Sequence, residues 1–322
     1  MKPVGMRPAW ERELVGVRVN LSADPEAALD AADGLLRRAR VNSERVRATL
    51  TRGWAHKAAG RPELLKEAIE EAARYRRPGN LAASELAGVS ANYLILAENL
   101  KPALYHAEKS VAFAKLVATS VEEAPRGNWR SGKLVQSVVK RAAYSAALTV
   151  RADVYICLSN KTAPIRDAFE ALKWADPRYV PHVHIAAVSL VSHSLLASGA
   201  ATPQICAQVL HITAQADKLL DRRRVKARSR HRLTLRALKG VALALLGSGE
   251  RAEEVLKRAI DDLESIGHKR DADLIAQQLV SILSSRAAQE GRALLLARKH
   301  GVTLPSAKKR RRDDDDDEPI GF

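Results

Sequence analysis

The chain reads as a succession of short segments, each with apolar residues every three or four positions and each closed by glycine, proline or a capping side chain. Asp24-Pro25 opens one: an aspartate acceptor precedes a proline in the first turn, and the segment runs to about Arg40. Asn42 or Ser43 can cap the next, which ends at Gly60; Pro62 opens a third, closed before Pro78-Gly79. Further helices are expected at about 81–98, 102–123, 132–159, 164–175, 180–198, 203–221, 224–246, 250–266, 270–285 and 287–300. Residues 1–22 read as irregular, with a short helix around Trp10–Val17. No long β-branched alternation occurs, and most connections are short. The expected fold class is therefore all-α, built from antiparallel helical hairpins. Hydrophobic residues at 46% allow most of its 322 residues to be ordered.

The hairpins share a spacing. Gly240 is followed by Ala252 and Ala259, with Leu243 and Leu256 supplying bulk between them; Ala91, Ala103 and Ser110 repeat the same separations. Small residues at such positions let paired helices approach closely. With the turn Leu246-Gly-Ser-Gly-Glu-Arg-Ala252, and a weaker copy at Gly53, Gly60, Ala72 and Pro78, about half the chain resembles the tetratricopeptide-repeat family. The copies are unevenly spaced, so the resemblance implies a degenerate, tetratricopeptide-like α-solenoid over 23–302. It also implies peptide or protein binding on a concave face rather than catalysis.

The formal net charge is +16, and the body without its C-terminal arm carries +17, which implies a polyanionic partner. The densest basic segment holds Arg222, Arg223, Arg224, Lys226, Arg228, Arg230 and Arg232, continued by Arg236 and Lys239. On one helix Arg224, Arg228, Arg232, Arg236 and Lys239 form a single stripe, where like charges repel unless an anion relieves them. A phosphate backbone would give that relief, and so would carboxylates of neighbouring helices. Arg126, Arg130 and Lys133 surround Trp129 in a second basic group; the tryptophan is read as a base-stacking ring or a packing anchor.

Residues 303–322 are expected to be a disordered arm. The basic block Lys308–Arg312 is followed by Asp313, Asp314, Asp315, Asp316 and Asp317, then Glu318-Pro-Ile320-Gly-Phe322. The last ten residues resemble the acidic, Phe-ended tip of bacterial single-stranded-DNA-binding proteins. That likeness implies that Ile320 and Phe322 fill a partner pocket while the aspartates meet its basic rim. A solubilising tail is the alternative. The basic block would be a nuclear-import signal in a eukaryotic or viral protein; otherwise a cytoplasmic location is expected.

Tyr179 to Ala216 contains no Asp, Glu, Lys or Arg, yet each half is too short and polar for a membrane span. A buried hairpin or a homo-oligomer contact would cover it. His182, His184 and His193 in this stretch have no carboxylate or thiol near them after Asp176, so no metal site is expected. Cys157 and Cys206 read as inert buried thiols. No phosphate loop, HExxH or nucleophile elbow is present, so neither an enzyme nor a cofactor is expected. Three readings remain: a nucleic-acid-associated scaffold, a peptide-binding adaptor and a self-assembling structural protein.

Overall fold

The computed structural model describes residues 7–21, 24–119, 131–158, 160, 162–197, 202–222, 229–266, 269–284 and 290–302. These residues form fourteen helices and no strand. The fold is all-α, with helices adjacent in sequence packed on one another. By contact density the chain divides into two units, Met1–His231 and Arg232–Phe322.

Unit 1 contains α1 (Pro8–Asn20), α2 (Pro25–Arg37), α3 (Asn42–Ala58), α4 (Glu63–Ala73), α5 (Asn80–Leu96), α6 (Leu100–Ala118), α7 (Gly132–Cys157), α8 (Ala163–Trp174), α9 (Pro181–Ala197) and α10 (Pro203–Arg222). The first residues of α11 (Arg230–Leu245) belong to it as well. The rest of α11, with α12 (Gly249–Ser265), α13 (Lys269–Ser284) and α14 (Glu290–His300), makes unit 2.

Local chemistry explains most of the boundaries. Asp24 accepts a 3.1 Å hydrogen bond from the Ala27 amide, and Pro25 fills the first turn of α2. Gly60 and Gly247 end α3 and α11 at φ +82° and +83°, where a Cβ would strain the backbone. Three expectations shift. Val41, not Asn42 or Ser43, precedes α3, while Asn42 instead donates from its side chain to the Arg76 carbonyl. The helix expected from 224 begins, among the described residues, at Arg230. The short N-terminal helix is a full one, Pro8–Asn20, because it is held on more than one side.

The hairpins are antiparallel. Along α7 and α8, Arg141 bonds the Lys173 carbonyl, Ser145 the Ala171 carbonyl and Arg151 the Asp167 carboxylate, so one strand of numbers rises while the other falls. Small residues close the pairs. A Cβ placed on Gly53 would lie 2.7 Å from that of Ala68 on α4, and one on Gly240 would lie 2.7 Å from Leu256 on α12. Ser84 and Ser110 cross-bond through each other's carbonyls at 2.9 Å, which satisfies two buried hydroxyls between α5 and α6.

Within unit 1, α3, α5, α7 and α9 touch in succession, while α4, α6, α8 and α10 each pack on the hairpin partner. The odd-numbered helices thus form one row. The charge-free α9 is covered by α7, α8 and α10: Ala187 sits in a core with Leu148 and Ala171, and Leu190 and Val191 pack with Ala152 and Ala168.

Candidate binding groove in unit 1

The row of odd-numbered helices forms a face that already holds a polypeptide, the helix α1. Trp10 and Leu14 of α1 pack with Leu35 and Ala48 of α2 and α3, and the Trp10 indole donates to the Leu35 carbonyl. Val15, one position beyond Leu14, packs against Leu81, Val135 and Val139 of α5 and α7. Apolar residues on two sides blur the amphipathic pattern, which is why this helix is faint in the sequence.

Ion pairs fix its register. Arg7, just before α1, holds the Glu44 carboxylate at 3.0 Å. Glu11 pairs with Arg47 of α3, and Arg18 grips Glu85 of α5 through two nitrogens at 3.0 and 2.7 Å. Arg47 also bonds Glu85 at 2.9 Å, so the last three pairs form one chain, Glu11–Arg47–Glu85–Arg18. Arg47 is 1% exposed. Burial disfavours its charge, but Glu11 and Glu85 outweigh that and hold its pKa above the ordinary arginine value. Burial likewise opposes ionisation of Glu85, yet the charges and hydrogen bonds of Arg18 and Arg47 bring its pKa down to about 2.

Beyond the C-terminal end of α1 the same face continues as a cavity of about 690 Å³. Its walls come from α1 (Val15, Arg18), α3 (Leu50, Trp54), α5 (Gly88, Asn92), α7 (Ala142, Ala143, Ala146) and α9 (Val183, Ala186), with Leu220 and His231. This volume is in the range of pockets that hold ordinary organic ligands. The alanines of α7 make one wall shallow, and Ala146 is open to solvent.

His182, in the first turn of α9, is one of the polar groups of the wall. Its ring is enclosed by protein yet part-exposed where it lines the cavity, and its Nδ1 has no hydrogen-bond partner. Burial, reinforced by His231 and Arg18, pushes its pKa down to about 3, so the imidazole is neutral at physiological pH. His184 and His193 are also shifted down, by burial; His184 shares a 3.1 Å hydrogen bond with the Ala175 carbonyl. Among the described residues, no three His, Cys, Asp or Glu side chains converge as metal ligands, and no helix is long and apolar enough to cross a membrane.

The residues expected to hold a phosphate backbone are placed differently. Arg222 ends α10 and Arg230 opens α11, both exposed, in unit 1. Arg232, Arg236 and Lys239 belong to unit 2, where Arg236 is bridged to Asp262 of α12 at 2.9 Å. Lys133 is exposed in the first turn of α7. Arg126, Trp129, Arg130, Arg223, Arg224, Lys226 and Arg228 lie outside the described residues, as does the whole arm with Asp313–Asp317, Ile320 and Phe322.

The sequence marks His182 only as a histidine of the charge-free stretch without metal-ligand neighbours, and no motif in it singles out Glu11, Arg18, Arg47 or Glu85. The available signal was the spacing of Glu11 and Arg18: seven residues, two helical turns, put both on one face. No protein-family model matches this chain, and no curated protein is similar to it in sequence.

Proposed function

We propose that the protein is a non-catalytic helical scaffold that binds a polypeptide segment of a partner along the face of unit 1 formed by α3, α5, α7 and α9. One observation carries this reading: the face of α3, α5 and α7 already seats the helix α1, and it runs on past α1 into the 690 Å³ cavity. A surface that recognises one helix through apolar contacts and paired charges has the chemistry to recognise another segment. The likeness of the hairpins to tetratricopeptide repeats points the same way, since it implies peptide or protein binding on a concave face.

The test is a displayed random-peptide library panned against the full chain and, in parallel, against Ala146→Trp. The larger side chain sits at an exposed position, so folding is preserved, and it fills the cavity mouth. The expected result is a set of peptides enriched on the parent chain and lost on the variant. A library that enriches nothing, or that enriches both proteins alike, would remove this function.

A second reading has its own support. Two exposed arginines flank the α10–α11 connection, and the body carries +17, a charge suited to a phosphate backbone. The acidic tip resembling that of single-stranded-DNA-binding proteins would then compete for the basic surface. Salt-dependent binding of DNA or RNA by the full chain, and by a chain ending at Arg312, tests it. The shorter chain is expected to bind more tightly at about 50 mM salt. No binding by either would end this reading.

A further inference from the structure

We infer that the cavity segment of the groove selects an uncharged, aliphatic stretch of polypeptide, with one backbone or side-chain polar group received by His182. The inference rests on the peptide-binding reading of the same face and adds its chemistry.

The first argument is charge balance. The ionic groups at the groove wall are Arg18, Arg47 and Glu85, tied to Glu11 behind them, and the four formal charges cancel. The hydrogen-bonding groups of Arg18 and Glu85 are also largely engaged. Arg18 spends Nε on Thr51 and both terminal nitrogens on Glu85, while Glu85 receives three donors. An incoming carboxylate or ammonium would meet no unpaired partner there and would lose its hydration. A basic protein thus presents a neutral groove, although its net charge alone would predict affinity for acidic segments.

The second argument is the composition of the remaining wall. Val15, Val183, Ala143 and Ala146 offer aliphatic contact, and the α7 alanines leave room for branched side chains of an occupant. The third is His182. Its neutral ring lines the cavity with an unpaired nitrogen, at a depth where a missing partner costs free energy. A peptide N–H, a carbonyl or a serine hydroxyl matches a neutral imidazole, which offers one donor and one acceptor. A charged group is not needed.

Continuity supports a polypeptide occupant. The cavity starts at Val15 and Arg18 of α1 and extends along the row already occupied by that helix, so the partner segment would lie end-on to α1.

The experiment begins with the peptides that depend on Ala146. The tightest is synthesised with capped ends, then again with one aliphatic residue replaced by Glu and, separately, by Lys. All three are titrated against the full chain by calorimetry, and the parent peptide also against His182→Phe. The expected outcome is an enriched set poor in charged residues, about a tenfold or greater loss for both charged versions, and a several-fold loss with His182→Phe. Equal or tighter binding of a charged version would overturn the inference and leave the groove as a peptide site. Unchanged affinity at His182→Phe would remove the histidine from it. Failure of any peptide to depend on Ala146 would overturn both this inference and the function it rests on.

Discussion

The two units differ in how deeply they bury paired charge. Unit 1 buries it: Arg47, Glu11, Glu44 and Asp167 are each at most 2% exposed, and each is held by a partner on another helix or on the chain just before α1. In unit 2 the pairs described lie mostly near the surface. Arg258 and Glu254 stand one turn apart on exposed positions of α12, and Lys299 faces Asp261 and Glu264 from α14, while the buried members Glu253 and His300 each meet a partly exposed partner, Lys257 and Glu264. Buried pairs fix which helix faces which, while exposed pairs chiefly solvate a face. A high arginine content therefore says little about where a basic surface lies, because part of it is structural.

The sharpest way to break this comparison is to remove the central cation. Arg47→Met leaves Glu11 and Glu85 buried without their shared partner, and loss of one member of a buried pair typically costs about 3–5 kcal/mol. Denaturant unfolding of the full chain should show unit 1 weakened by that amount, with unit 2 unchanged. A cost below about 1 kcal/mol would mean that the Glu11–Arg47–Glu85–Arg18 chain does not organise the groove.

Close packing provides the next comparison. On α3, a Cβ at Gly53 would meet the Ala68 Cβ at 2.7 Å and the Leu65 backbone at 3.6 Å, neither of which can rotate away. On α11, a Cβ at Gly240 would meet Leu256 Cγ at 2.7 Å, an atom of a fully buried side chain that must shift but carries no backbone with it. Gly53→Ala is thus expected to cost about 1–3 kcal/mol and Gly240→Ala less. Thermal melts of the two variants check the order, and a reversed order would show that the unit 1 hairpin has the looser fit.

Acid separates the units more gently. His182 has a folded pKa depressed to about 3. The unfolded chain takes up this proton below about pH 6.5 and the native state does not, so native stability is full above that pH and falls below it. A full one-proton difference sets a ceiling of about 1.4 kcal/mol per pH unit on the slope, and the part exposure of the His182 ring keeps it below that. His184 and His193 shift in the same direction, through burial, and add to the loss. Glu85, with a folded pKa of about 2, adds a further loss only below about pH 4.5. Unfolding of unit 1 measured from pH 7.5 to 5 should weaken with acid, and His182→Phe should flatten the slope. An unchanged slope would place the proton uptake elsewhere.

These contrasts also mark what could be read from the sequence. Helix existence was legible because caps and periodicity are local: Asp24 caps α2 as expected, and Gly60 and Gly247 close α3 and α11. The close approaches at Gly53 and Gly240 were legible too, since small residues at hairpin spacing have few other uses. The groove was not. Glu11, Arg18, Arg47 and Glu85 come from three helices, and residues 18 and 85 meet only after four inter-helix connections have been folded. A helix with apolar residues on two sides gives no clean stripe, so α1 looked irregular until the helices around it were in place. Nor can periodicity tell a paired arginine from an available one, as Arg236 shows.

Arg236 carries the smallest effect and joins stability to function. Its bridge to Asp262 is 2.9 Å long and only partly shielded, with the two side chains 37% and 24% exposed. Such a pair is worth about 0.2–1 kcal/mol, so Arg236→Ala should lower the stability of unit 2 by no more than that. The same variant distinguishes the two uses of charge. If Asp262 is the partner of Arg236, its loss leaves any polynucleotide affinity and its salt slope unchanged, while Arg222→Ala and Arg230→Ala together reduce both. If Arg236→Ala alone reduces the salt slope by about one, the guanidinium exchanges Asp262 for phosphate, and unit 2 presents its charge outward after all.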